Sequence, residues 1–336
     1  MGRVKKLKIA IFSDLHANGA ALDAFLDDTK KIGVNQYWFL GDAVGYGPEP
    51  VKCLKWVLDN VPDKHRVWGN HDMMLHGLAA AQDEYFCQRN HLLPQDIVVK
   101  AKDENNELRK MELSIVENLM KVKDWQSTYL DAIEIIQKHL KDLATQDWFN
   151  HRILIKMYRD QRYKLLNYKG MEHWFVHGTL DTISDNYRYM FPWRKEYLEL
   201  DLVFLKEKHK KKNQIRWGGH THVPMIQVAD RSDDVPRPIF YHYHKKYSID
   251  YPYVFLNPGS LGFPRDLDQR GSYLLFYPEE REVEFRRFDY PVRDVYNQMK
   301  NENYPRGILN RLRDATFPGK ENEFKAHFEN LMKEEG

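Results

Sequence analysis

Five short apolar runs, each ending in a carboxylate, an amide or a histidine, constrain this chain more than any other feature. Residues 8–13 lead into Asp14 and His16, and residues 36–40 into Gly41 and Asp42. Residues 66–68 lead into Gly69, Asn70, His71 and Asp72, residues 173–176 into His177, and residues 215–217 into His220 and His222. Runs of this kind read as strands. Between the first three, residues 20–32 and 51–58 carry Leu, Phe, Val and Trp at helical spacing. Strand alternating with helix predicts α/β layering, with reactive groups at the carboxyl ends of the strands.

A rigid sheet fixes the short loops at its strand ends around one point, so polar residues repeated there are candidates for one shared site. Carboxylate plus imidazole ligation suits Mn, Fe, Zn or Ni, and is too nitrogen-rich for Ca or Mg alone. The eight residues gathered here exceed what one ion needs, and a bridging carboxylate would let two share the site. Two ions roughly 3.5–4 Å apart are the usual apparatus for in-line attack on phosphorus. Each motif is weak alone: Asp-x-His after a strand arises by chance, and Gly-Asn-His-Asp favours turns. Their order, one behind each of five strands, makes coincidence improbable.

The 336 residues suffice for one large domain with a sizeable insertion. Lys plus Arg number 51 against 49 Asp plus Glu, a net +2 that leaves no excess for purely electrostatic nucleic-acid binding. No apolar run approaches the ~18 residues of a membrane span. Residues 9–12 are too short for a signal-peptide core, and Lys6 stands where a myristoylation signal wants Ser or Thr. Cys53 and Cys87 fit no disulfide framework, zinc site or redox motif. A soluble protein of a reducing cytoplasm is expected, with no membrane partner.

From residue 78 to residue 169 there is no glycine and one proline, Pro94. Apolar residues from Leu108 to Leu143 recur there mostly in steps of three or four, which predicts a long amphipathic helix or a pair broken by a tight turn. We therefore divide the chain into a core (1–77 and 170–300), a helical insertion (78–169) and a C-terminal helical extension (301–336). Both ends of the insertion adjoin ligand-bearing loops. It would serve as a lid, with Trp125, Tyr129, Trp148 and Phe149 as its aromatic surface, or pack against the core or a second copy in a homo-oligomer. Later strand signals at residues 225–228, 253–256, 272–277 and 283–288 follow one another closely, as in an antiparallel or mixed sheet.

The series Ser13-Asp14-Leu15-His16, Gly41-Asp42, Gly69-Asn70-His71-Asp72, Val176-His177-Gly178 and Gly219-His220-Thr221-His222 resembles the calcineurin-like metallophosphoesterase superfamily. Gly45-Tyr46-Gly47-Pro48, and the segment from Asn257-Pro258-Gly259-Ser260 to Arg265-Asp266, look like its branch of small prokaryotic phosphodiesterases. The resemblance runs from about residue 8 to about residue 313, residues 78–169 excepted. It implies a four-layer α-β-β-α sandwich of two mixed sheets with helices outside. By position, Asp14, His16 and His222 would hold one metal, Asn70, His177 and His220 the other, and Asp42 both. His71 would face the scissile phosphate as charge stabiliser or general acid. A hydroxide shared by the two ions, Mn foremost with Fe, Zn or Ni as alternatives, would be the nucleophile.

Gly45 and Tyr46 stand where the phosphoprotein phosphatase branch carries an Asp-Arg pair. Arg265 is the local substitute for the missing phosphate clamp, with Tyr46 beside it as a substrate contact. The competing reading of Arg265 is a surface residue paired with Asp266 or Asp268. His242 and His244 alternate with Tyr241 and Tyr243, as in a hairpin with its tyrosine face inward; stacking of nucleobases is the alternative. Residues 208–212 are a basic run suited to a helix end. The expected function is a dinuclear-metal phosphodiesterase of nucleotide-like or nucleic-acid-end substrates. Phosphomonoesterase activity, on phosphoprotein or dinucleoside polyphosphate, is the alternative. A non-catalytic scaffold is the third reading, opposed by the presence of His71 and all seven ligand positions.

Overall fold

Strand β1 (Ile9–Phe12) sets the layering, because its side chains alternate between two cores: Ile9 and Ile11 enter one, Ala10 and Phe12 another. The computed structural model describes residues 6–82, 126–149, 163–180, 188–208 and 212–316, with positions 153, 323, 325 and 326 besides. In the first sheet β1 pairs in parallel with β2 (Gln36–Phe39) and antiparallel with β10 (Gly271–Tyr277). Beyond β10 lie β11 (Glu282–Phe288) and β8 (Lys246–Ser248), in the order β2-β1-β10-β11-β8. The second sheet comprises β3 (Tyr163–Tyr168), β4 (Met171–Val176), β5 (Gln214–Trp217), β9 (Tyr253–Pro258), β6 (Pro224–Ala229) and β7 (Arg237–Pro238), ordered β3-β4-β5-β9-β6-β7.

The sheets meet over Ile9, Ile11, Trp38, Phe175, Trp217, Val254, Phe276 and their neighbours. Trp38 stands edge-on to Phe175 at 5.0 Å and to Trp217 at 6.0 Å, the packing aromatic quadrupoles favour. The outer face of the first sheet is covered by α1 (Gly19–Ile32), α2 (Pro50–Asn60), α4 (Gln126–Ala144), α6 (Val292–Asn301) and α7 (Arg306–Asp314). Helix α5 (Lys195–Lys208) covers the second sheet through Leu198, Leu202 and Leu205. Helix α3 (Asn70–Gln82) begins at the third motif and packs against α4. The result is the expected four-layer α-β-β-α sandwich of mixed sheets.

Two assignments differ from the sequence reading. Arg66 touches Phe39 by one isolated bridge, so residues 66–68 form no strand; the Arg66 side chain instead folds back onto Val61 O and Asp63. Strand β3 lies inside the segment assigned to the helical insertion, and pairs with β4 over its whole length. Its half-exposed edge position explains why no clean apolar alternation marks it. Within the same segment α4 buries Ala132, Ile135, Ile136, Leu140 and Leu143 in the first-sheet core, and Trp148 and Phe149 pack against that core. Those two rings are packing surface, not an overhanging aromatic face. Trp125, Cys87, the apolar positions between 108 and 122 and the side chain of Tyr129 lie outside the described residues. Cys53 is a buried free thiol, and among the described residues no helix is long and apolar enough to cross a membrane.

Candidate metal centre

The loops after β1, β2, β4 and β5 and the first turn of α3 bring the sequence-selected donors together. Three sets lie with their donor atoms within 4.8 Å of one another: Asp14, His16 and His222; His16, Asp42 and His71; Asp42, His177 and His220. Asp14 Oδ1 is 3.2 Å from His222 Nε2, 3.8 Å from His16 Nε2 and 3.9 Å from His177 Nε2. Asp42 Oδ2 is 3.2 Å from His177 Nε2 and 3.6 Å from His16 Nε2. Asp42 thus sits between the groups, and all its neighbours are buried.

The histidines are aimed by the backbone. His16 donates Nδ1–H to Val44 O at 3.0 Å, His177 to Leu40 O at 2.7 Å and His222 to Phe263 O at 2.5 Å. Each bond fixes the tautomer and turns the Nε2 lone pair into the centre, as metal-ligating histidines require. His16 Nε2 and His222 Nε2 consequently face each other at 3.1 Å. Two lone pairs at that distance repel, and a cation between them relieves the contact. Asp14 Oδ1 and Asn70 Oδ1 are buried and accept no hydrogen bond among the described residues, which leaves them for the same purpose. These features fit a divalent-cation centre.

Electrostatics agree. Burial opposes ionisation of Asp14 and Asp42, yet His222 and His177 hold both carboxyls below their usual range. Burial and the charge of neighbouring histidines keep His16 and His220 well below 6.5. Burial alone would lower His177, but Asp42 and Asp14 lift it to about 9; a bound cation would take the place of that proton. Burial brings His71 down to about 4 against the pull of Asp42. Two ionised carboxylates among mostly neutral imidazoles attract cations.

Holding the donors is costly. Asp14, His16, Asp42, Tyr46, His220 and His222 all have φ between 49° and 70°. Such conformations cost of order 1–3 kcal/mol each and persist only where the surroundings impose them. Asp72 imposes much of this, accepting backbone N–H bonds from Asp42, Ala43, Val44 and Gly69 at 2.8–3.2 Å. Asn257 Nδ2 binds Gly219 O and Thr221 Oγ1, and Ser260 Oγ binds Asp14 O. Gly45 has φ +89° and presses on the His71 ring, where a Cβ would collide with Nδ1. That contact is why no residue with a side chain fits the position.

Arg265 is buried, not a surface residue, and the acids expected to pair with it are engaged by other arginines, Asp266 by Arg287 and Asp268 by Arg270. Its guanidinium lies beside the centre, with Nη2 3.5 Å from Tyr46 Oη. The Tyr46 ring stands 4.4 Å from His16 and 4.6 Å from His71. The tyrosine-histidine segment is elsewhere: Tyr241 stacks on Phe285 at 4.0 Å, Tyr243 and Tyr247 pack against the inter-sheet core, and His242 and His244 face outward. Residues 209–211 of the basic run lie outside the described residues.

Three participants escaped the sequence reading. Asp72 was quoted in its motif without a role; its signal is an acidic residue in the first turn of a helix. His139 on α4 reaches Gly45 N and Gly47 O, and Arg311 on α7 reaches Tyr46. Each is a polar residue within an apolar helix stripe, a pattern that marks a buried partner.

A model of the calcineurin-like phosphoesterase family matches residues 7–256, a stretch that contains all seven donors and His71. An uncharacterized protein of Methanocaldococcus jannaschii is 24% identical over 312 residues, covering 91% of this chain and 98% of its own. A metallophosphoesterase from Sphaerobacter thermophilus superposes with a TM-score of 0.61 at 22% identity, over 93% of this chain and 100% of its own. A hypothetical protein from Pyrococcus horikoshii gives 0.59 at 16% identity, over 92% and 98%. These two structures share the fold. On the extent of the family match, the chain belongs to the calcineurin-like phosphoesterases.

Proposed function

We propose that this protein is a dinuclear-metal phosphodiesterase of nucleotide-like or nucleic-acid-end substrates. The convergence of six buried donors, Asp14, His16, Asp42, His177, His220 and His222, from four strand ends, with His71 from the first turn of α3 among them, carries this reading. Asp14, His16 and His222 would hold one ion, Asn70, His177 and His220 the second, and Asp42 both. Divalent ions bound there polarise phosphoryl oxygens and bring the pKa of a bound water toward neutrality.

The chain's own residues do the positioning. With Nδ1 of His71 packed on Gly45, its Nε2 is the nitrogen left to meet the substrate. A neutral imidazole there donates to the developing charge or to the leaving oxygen. No carboxylate occupies position 45 to orient His71, so the Tyr46 and His16 rings take over that task, the latter edge-on at 4.8 Å. Arg265, released from Asp266 and Asp268, supplies positive charge for the phosphate.

Loaded with Mn²⁺, the protein should hydrolyse bis(p-nitrophenyl) phosphate faster than p-nitrophenyl phosphate, and chelation should abolish both activities. Asp42→Asn should lose metal by elemental analysis together with turnover. Retention of two metals and full activity in that variant sinks the bridging assignment. A monoester rate above the diester rate would favour the phosphomonoesterase instead.

A further inference from the structure

One donor histidine has an aromatic ring laid flat upon it. The Tyr189 ring stands 4.0 Å from the His220 ring with 15° between their planes, and His177 meets the same imidazole edge-on at 5.0 Å. The rings beside His16 are set differently, Tyr46 tilted by 44° and Phe263 edge-on at 82°. Stacked and edge-on contacts are both geometries that aromatic quadrupoles favour.

A histidine ring turns about a torsion with broad, two-fold wells, which by itself fixes the ring plane poorly. The lone pair of a donor nitrogen lies in that plane, so the plane decides whether it meets an ion. The main chain of His220 is placed by Asp14, whose Oδ2 accepts its N–H at 3.1 Å, with φ at 70°. The flat face of Tyr189 restricts the remaining torsion, because turning the imidazole would drive its edge into the phenol ring. So placed, the His220 donor lies within 4.8 Å of the donor atoms of Asp42 and His177.

Tyr189 is itself held. It opens a Tyr189-x-Phe191-x-Trp193 segment between β4 and α5 whose three rings stack in series. Tyr189 and Phe191 are 5.5 Å apart at 7°, Phe191 and Trp193 4.9 Å apart at 6°. Phe191 is buried with Val223, the residue after His222. Met190 joins Leu198 and Leu202 in the core under α5, and Gln227 of β6 donates Nε2–H to Pro192 O at 2.8 Å.

We propose that Tyr189 is a positioning residue of the metal centre, its ring holding the His220 imidazole in the plane that serves the ion shared with Asp42 and His177. The inference rests on the dinuclear reading. Histidine ligands are commonly oriented by a hydrogen bond from outside the coordination sphere, and loss of such a partner typically costs about 10–100-fold in metal affinity. Here a stacked ring supplies the orientation.

The test titrates Mn²⁺ into the metal-free full chain by calorimetry. His220→Ala marks the ion that uses this imidazole. Tyr189→Leu, which removes the flat ring, should weaken that same ion by about tenfold and leave the other within about threefold of wild type. Tyr189→Phe keeps the ring and should hold both ions within about threefold. A loss under about threefold at the marked ion in Tyr189→Leu overturns the assignment, as does an equal loss at both ions, which is what general loosening of the fold would give. Equal losses in Tyr189→Phe and Tyr189→Leu overturn it too, because the hydroxyl and not the ring would then matter. Tyr189→Met, with an unbranched chain, takes the place of Tyr189→Leu under the same thresholds should the latter fail to fold. If wild type binds a single ion, the dinuclear reading fails by itself. Dependence of that ion on both His220 and the Tyr189 ring then still upholds the positioning role, and independence from either overturns it.

Discussion

His139 Nε2 lies 2.8 Å from the carbonyl oxygen of Gly47, 92 residues earlier, and its Nδ1 accepts from Gly45 N at 3.3 Å. One imidazole therefore clamps both ends of the turn that presses Tyr46 onto His71. Tyr304 Oη adds a bond of 3.1 Å to the same Gly47 oxygen. Helix α4, one described part of the segment expected as a lid, thus supports this turn.

His139→Ala should loosen this turn without touching a donor. Two buried hydrogen bonds are lost and a cavity opens, a cost of about 2–4 kcal/mol in urea denaturation. Metal content should stay at the wild-type level while diester turnover falls. Unchanged turnover in the folded variant would mean that the placement of Tyr46 does not matter to the reaction.

A second support stands behind His177. Arg216 Nε donates to Asp201 Oδ2 at 3.1 Å, Asp201 Oδ1 accepts from Leu180 N at 2.7 Å, and Arg216 also binds Gly178 O. The buried pair ties α5 and β5 to the loop that follows the His177 strand end. Asp201→Asn leaves the Arg216 charge uncompensated, which typically costs about 3–5 kcal/mol. Weaker metal retention should accompany the lost stability, and equilibrium dialysis against a graded chelator would measure it. A destabilised variant with wild-type metal affinity would confine Asp201 to a purely structural role.

His173 gives a pH signature away from the metal centre. It lies between the sheets, accepts from Trp217 Nε1 at 3.1 Å and faces Tyr168 O at 3.3 Å; burial holds its pKa at about 4. The unfolded chain takes up this proton near 6.5, whereas the folded chain resists until about 4. Between those values the unfolded state binds more protons, so stability falls as pH falls, by up to about 3 kcal/mol from this residue. Above 6.5 the group contributes no slope. His173→Gln should be less stable at neutral pH but lose less on acidification. Parallel stability curves for the two proteins from pH 7 to 4 would contradict the assignment.

How much could be read beforehand follows from locality. Asp14, Asp42, His177 and His220 were legible because each sits directly after a short apolar run, and a strand end fixes its neighbours whatever the distant chain does. The alternation of Ile9 and Ile11 against Ala10 and Phe12 likewise declares two cores within four residues. Strand β3 was hidden because an edge strand with half-exposed side chains has no need of a clean pattern. His139 and Arg311 were half hidden for another reason: local spacing marks each as a polar residue in an apolar stripe, but which partner it meets depends on helix packing across 94 and 265 residues of chain.

The last prediction separates two jobs for His71. Its main-chain N–H donates to Asp42 Oδ1 at 2.9 Å, so the backbone helps place that carboxylate while the buried ring lies beside Tyr46. His71→Ala keeps that backbone bond, and metal content should survive. Loss of a general acid lowers turnover by a factor of about 10²–10⁴ where the leaving alkoxide needs a proton. Nitrophenolate needs little protonation, so bis(p-nitrophenyl) phosphate should suffer much less than an alkyl diester such as a dinucleotide. A loss of equal size on both substrates would assign the ring to charge stabilisation in the transition state, since that contact serves every leaving group alike.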